Sequence, residues 1–147
     1  MPTPILRDLI GSVQTLTAAN AIANNAYANV ADKFTIDNTG LALLADFSLT
    51  LAFGTAPVAG AVQLFAVDWS LDATPVVGAT PSATVQPRFI GSFDPRPLTS
   101  NAVTSWVMRL NSVALSAKTD FYLFNNSTGQ SINTGWVLKA QLWSPGT

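Results

Sequence analysis

The sequence has no histidine, no cysteine and no glutamate, and its 147 residues carry only seven Lys and Arg against eight acidic residues, all aspartate. Each absence removes a class of chemistry. Without His or Cys, nucleophile systems built on either residue, zinc sites of the usual ligand set and haem ligation are excluded by inventory. No disulfide can staple the fold, which suits synthesis in a reducing compartment and equally a thiol-free extracellular particle. Ser-x-x-Lys, Gly-x-Ser-x-Gly, phosphate-cradling and dinucleotide-binding patterns are also missing. The expectation is a protein that is not an enzyme, with no cofactor and no metal.

Charged residues make up 10% of the chain, against about 25% in an ordinary soluble domain. The net charge is −1, and no basic cluster offers a surface for tracking phosphates, so nucleic acid is not an expected partner. The longest uninterrupted apolar run is 41–45, far short of the roughly 20 residues that cross a bilayer as a helix. No membrane partner is expected, and the N-terminus lacks the basic, apolar and small-residue succession of a secretory signal.

What is present is apolar bulk and strand pattern. Hydrophobic residues reach 48%, and a domain of this length buries roughly 68–70% of the surface its unfolded chain exposes, enough for a real core. The surface is then dressed in Ser, Thr, Asn, Gln and Ala. Such a surface gains little solubility from charge, which points to permanent neighbours in an oligomer or a particle. A source that favours Ala and Thr is the plain alternative.

From Asp32 onward the hydrophobic period is two. Ala45, Phe47, Leu49, Leu51 and Phe53 alternate with Asp46, Ser48, Thr50 and Ala52, and Trp136, Leu138, Ala140 and Leu142 alternate with Val137, Lys139, Gln141 and Trp143. Each is a half-buried strand. Further strands are expected at 33–36, 62–69, 88–93, 103–110 and 120–125, with turn residues between them. Residues 1–31 read as an N-terminal arm, with an early strand around 11–17 and an apolar stripe of Ile5, Leu6, Leu9 and Ile10. The fold class is all-β: an antiparallel β-sandwich or jelly roll of about eight strands, with the arm at 1–31 and the sandwich domain at 32–147.

Few side chains invite a function. Asp68 and Asp72 form a carboxylate pair at a strand exit, where turn capping outweighs glycoside chemistry. The proline-flanked Arg96 reads as a rigid contact loop or a plain turn paired to Asp94. The 70–87 connection exceeds the usual length of a structureless loop, which marks it as functional or mobile. Asn125-Asn126-Ser127 and Asn126-Ser127-Thr128 match the glycosylation acceptor pattern but read as a polar turn ending at Gly129. Parity puts Trp106 and Trp136 in the core and leaves Trp69 and Trp143 as surface aromatics, either sugar platforms or interface anchors. On strand 62–69 both faces are apolar, with Phe65 and Trp69 on the second, so this face is covered by the chain itself or by a neighbour.

The phrases Phe34-Thr35-Ile36-Asp37-Asn38-Thr39-Gly40, Ala52-Phe53-Gly54-Thr55-Ala56-Pro57, Phe89-Ile90-Gly91-Ser92-Phe93 and Phe124-Asn125-Asn126-Ser127-Thr128-Gly129-Gln130 together resemble the small β-sandwich virion proteins of tailed bacteriophages, the head-decoration or cement proteins. The resemblance covers roughly 32–143. It implies a location on the outer surface of the phage head after synthesis in the bacterial cytoplasm. The implied partners are the major capsid protein and further copies of the chain itself, with a trimer favoured. Ile5, Leu6, Leu9, Ile10, Phe65, Trp69, Arg96 and Trp143 are the expected interface residues. A head-fibre, neck or tail component and a carbohydrate-binding module using Trp69, Trp143 and Tyr122 are the alternatives.

Overall fold

The 44–51 segment shows most plainly how pattern becomes architecture: its side chains alternate strictly between half-buried and buried, so one face of the strand is core and the other is wet. The structure, a computed structural model, describes residues 7–38, 42–57, 59–69, 81, 87–93 and 106–146, with only the backbone of Trp106. Its strands are β1 (Arg7–Thr17), β2 (Ala26–Tyr27), β3 (Phe34–Asp37), β4 (Leu44–Leu51), β5 (Ala61–Asp68), β6 (Arg88–Phe93), β7 (Trp106–Ala114), β8 (Lys118–Asn126) and β9 (Val137–Pro145). A single 3-10 turn occupies Val30–Asp32, and no α-helix occurs among the described residues. The protein is all-β, as its pattern predicts.

Two antiparallel sheets form. One has the order β1-β9-β4-β7; the other runs β2-β8-β5-β6, with β3 also paired to β8. Consecutive strands repeatedly change sheet, so the two layers cannot separate without breaking the chain's path, which is the sandwich solution for burying one face of each sheet. Phe47 of β4 lies at the junction, 4.9 Å from the Phe121 ring of β8 and 6.1 Å from the Phe34 ring of β3, centroid to centroid. Around it close Leu49, Leu64, Leu123, Ile36, Leu138 and Trp136, all within 1% of full burial. Gly91 of β6 fits because a Cβ there would stand 2.8 Å from a methyl of Leu110 in the opposite sheet.

Residues 7–31, expected as an arm with an early strand, are built into both sheets. β1 pairs with β9 from Arg7↔Pro145 to Thr17↔Val137, interrupted by an irregularity between Ile10 and Gln14, and β2 pairs with β8. Ala18, Ile22 and Ala28 are core residues. Ile22 exchanges two backbone hydrogen bonds with Ile132, at 3.0 and 2.9 Å. The Ala/Asn-rich composition of this arm permits close backbone approach, and polar side chains replace the missing ladder bonds. The buried Asp32 carboxylate accepts from the Ala19 amide, the Asn20 amide and the Asn20 side chain, each at 3.0 Å. Likewise, buried Asn125 donates to the Ile22 and Gln130 carbonyls at 3.1 and 2.7 Å while accepting from Thr128 at 2.6 Å.

Strand boundaries moved where the pattern was weak. The expected 103–110 strand, whose 103–105 portion lies outside the described residues, is seen as Trp106–Ala114 and continues past a left-handed Ser112 (φ 57°). This is a bulge: the β4–β7 register shifts between Ala45 and Phe47, and the Asp46 carboxylate accepts the Ser112 amide at 2.8 Å. The Asn126–Gly129 segment is the polar turn expected, with Ser127 and Gly129 both left-handed and Thr128 buried. The 70–80 and 82–86 stretches of the long connection, and the Arg96 loop with Asp94, lie outside the described residues, as do Asp72 and the Trp106 side chain.

Candidate functional site

The outer face of the β1-β9-β4-β7 sheet holds a groove of about 600 Å³. Its floor follows from register. Ser48 of β4 stands opposite both Arg109 of β7 and Lys139 of β9, and Lys139 stands opposite Thr15 of β1. Directly opposed residues share a sheet face, so Thr15, Lys139, Ser48 and Arg109 make one transverse row across all four strands. The adjoining row is Val107, Thr50, Val137 and Thr17. Leu9, Val13 and Val107 line the groove at 65%, 51% and 62% exposure. They are half of the six large hydrophobic residues exposed among the described residues, so the uncovered apolar surface is concentrated here.

One corner of the groove is locked. Asp46 accepts from Arg7 and from the Trp143 indole, at 3.1 Å for the latter, in addition to the Ser112 amide. The Arg7 guanidinium lies 4.3 Å from the Trp143 ring centroid. Burial alone would raise the Asp46 pKa; the Ser112 amide, the Trp143 indole and Arg7 overcome this and hold it below the ordinary aspartate value. Trp143 therefore departs from expectation. Parity does place it on the outer face, opposite Leu9 and Leu44, yet it is only 7% exposed because its own chain covers it.

The remaining predicted interface residues are scattered. Leu9 faces the groove, whereas Ile10 turns inward and packs on the core. Phe65 and Trp69 lie on β5 or its end, on the outer face of the other sheet. Phe65 is half-buried in an aromatic strip, 5.5 Å from Tyr27, 5.9 Å from Phe124 and 5.5 Å from Phe89. Trp69 is half-buried with the Lys118 ammonium 3.7 Å from its ring centroid. Its Nε1 is buried without a hydrogen-bond partner among the described residues. Ile5, Leu6 and Arg96 lie outside the described residues. Thus Leu9 and Trp143 come together, Phe65 and Trp69 share the opposite side of the molecule, and no single surface collects them all.

Asp68 and Asp120 are each held by neighbouring side chains. Asp68 accepts from Arg88 Nε and Nη2 at 3.1 and 3.0 Å and from Ser116 and Thr119, both at 3.0 Å. Burial raises its pKa, but the Arg88 bonds and charge together with the two hydroxyls bring it below the ordinary value. Asp120 is fully buried beneath Lys33, 3.3 Å away, and accepts from Thr35. Tyr122 is pushed up to about 12, by burial first and by the Asp120 charge second. No group of three His, Cys, Asp or Glu suited to a metal ion occurs among the described residues.

Arg109, Lys139, Ser48 and Thr15 were missed by sequence reasoning. Their parity along each strand is legible; their assembly into one row depends on the strand order, to which the sequence offers no local signal. No protein-family model and no curated protein sequence matches the chain. What fold and surface define is an antiparallel β-sandwich with one grooved, partly apolar sheet face.

Proposed function

We propose that this chain is a non-enzymatic structural protein of a tailed-phage virion, a decoration or cement protein that sits on the outer head surface and bridges subunits of the major capsid protein. The observation that supports this reading most is the outer face of the β1-β9-β4-β7 sheet, where Leu9, Val13 and Val107 remain exposed around one groove. Exposed apolar residues gathered on one face of a chain of low overall charge mark a contact face. A sandwich locked by cross-sheet packing suits a load-bearing plug. Repetition around a symmetric shell multiplies modest contacts by avidity, and a symmetric oligomer such as a trimer places several faces on the lattice at once.

The test is add-back. Particles made without the protein are mixed with wild-type protein or with Val107→Asp, then sedimented and heated to release DNA. Wild-type protein should co-sediment and raise the release temperature; Val107→Asp should do neither while melting normally in solution. Co-sedimentation of both proteins alike would refute this face as the attachment surface, and co-sedimentation of neither would refute the decoration reading. A head-fibre, neck or tail position shares the fold and differs in copy number. The sugar-binding alternative required Trp69, Trp143 and Tyr122 to be exposed together, but Trp143 and Tyr122 are 7% and 0% exposed.

A further inference from the structure

Four of the six described cations are neutralised by a carboxylate of the same chain. Among the described residues, Lys33, Arg88 and Lys118 pair with Asp120, Asp68 and Asp37, and Arg7 pairs with Asp46. Two cations have no acidic partner: Arg109 and Lys139, both exposed and both lining the groove. They flank Ser48 on neighbouring strands, which separates their backbones by about 10 Å, two strand spacings. At that distance on an exposed face their mutual repulsion is small and screened, so both charges stay available to one acidic ligand spanning Ser48.

We propose that the Thr15-Lys139-Ser48-Arg109 row is a docking site for an acidic, extended polypeptide segment of a partner protein. Acidic side chains at i and i+2 of such a segment project from one side about 7 Å apart, a spacing that flexible Lys and Arg side chains reach from the two sides of Ser48. The Ser48 hydroxyl supplies a donor between them, and the Thr15 hydroxyl supplies another beyond Lys139. Apolar residues of the segment meet Leu9 and Val13 at one margin and Val107 at the other, which free phosphate or a sulfated glycan would leave uncovered. Sugar stacking has no platform here, since the only aromatic lining residue, Phe47, is 1% exposed and committed to the core. Nucleic acid is disfavoured, because two free cations are far fewer than the 6–10 phosphate contacts of a typical binder. A second copy of this chain is a poor occupant, as Asp8 is the only exposed, unpaired carboxylate among the described residues.

The inference shares with the virion reading only the choice of face, and its test uses the isolated full-length chain, so the two fail separately. Nitrogen-15-labelled protein is titrated with a blocked ten-residue peptide of alternating Asp and Val, with the same peptide carrying Ser for Asp, and with a heparin-derived hexasaccharide. The Asp peptide should give saturable shifts at the amides of 15, 48, 109 and 139, weakening about tenfold as salt rises from low to physiological strength. The Ser peptide should give none. Arg109→Gln/Lys139→Gln, whose side chains are exposed, should melt like wild type and bind the Asp peptide at least about tenfold more weakly. The proposal is overturned by absence of saturable shifts in that row, by salt-insensitive binding, by undiminished binding in the double variant, or by the hexasaccharide occupying the row more tightly than the peptide.

Discussion

Replacing Asp32 with alanine tests whether the N-terminal quarter of the chain is an integral part of the sandwich. The Asp32 side chain is 4% exposed and joins the segment after β1 to the turn before β3 through three hydrogen bonds, two of them from backbone amides. A hydrogen bond to a charged group contributes about 1.5–3 kcal/mol. The Asn20 side chain can turn to water, but the Ala19 and Asn20 amides lose their acceptor in place, so Asp32→Ala should cost about 3–5 kcal/mol. For a chain near 150 residues that is a melting-temperature loss of roughly 10 °C or more. Asp32→Asn keeps one acceptor oxygen and turns an NH2 toward Asn20 donors, so it should lose about half as much; Asn20→Ala should lose about 1 kcal/mol. The assay is thermal unfolding by circular dichroism at neutral pH. An Asp32→Ala protein melting within about 2 °C of wild type would refute the reasoning, because the 18–32 segment would then behave as a detached arm.

Gly60→Ala should destabilise by more than about 2 kcal/mol, since φ is +73° and the new Cβ would sit 2.0 Å from the Asn126 carbonyl oxygen. Gly135→Ala has a similar φ of +81° with nothing within 4 Å, so it should cost only about 1 kcal/mol, and equal losses in denaturant titrations would contradict the close approach. Trp136→Phe removes a donor to the Asn20 carbonyl at 3.1 Å from a side chain only 1% exposed, and should cost about 2–3 kcal/mol in the same titrations. The folded-state pKa values of Asp46 and Asp68 are depressed, so their contribution is complete above the unfolded value near 4 and is lost as pH falls through the lower folded values. The stability gap between wild type and Asp46→Asn should therefore close on acidification below about pH 4. Tyr122 behaves oppositely: pushed up to about 12, it leaves stability intact below about 10 and withdraws it as pH rises toward the folded value. Tyrosinate absorbance during alkaline titration checks this.

Alternation made the interior legible. Phe47, Leu49, Leu51, Leu138, Ala140 and Leu142 were assigned inward by period alone and are buried, because one-sided burial in a strand admits no other phase. Burial from the outer side was invisible to the same rule. Trp143 sits on the wet face yet is covered by Arg7, whose strand enters the sheet from the far end of the sequence. The pairing of the N-terminal segment was not legible because its small and polar residues carry no period; its order comes from long-range bonds such as Ile22–Ile132 and from Asp32. The groove was hidden for a related reason. Lys139 and Arg109 are thirty residues apart in sequence and meet only across β4, so their relation is a property of strand order.

We propose that this sandwich coats a phage head through a repeated contact face, and quantitative mass spectrometry of purified particles, reporting copies of this protein per copy of the major capsid protein, decides that proposal. The expected ratio is one or a simple fraction of one. A handful of copies per particle would move the protein to the neck, tail or fibre, and its absence from particles would rule out a virion role.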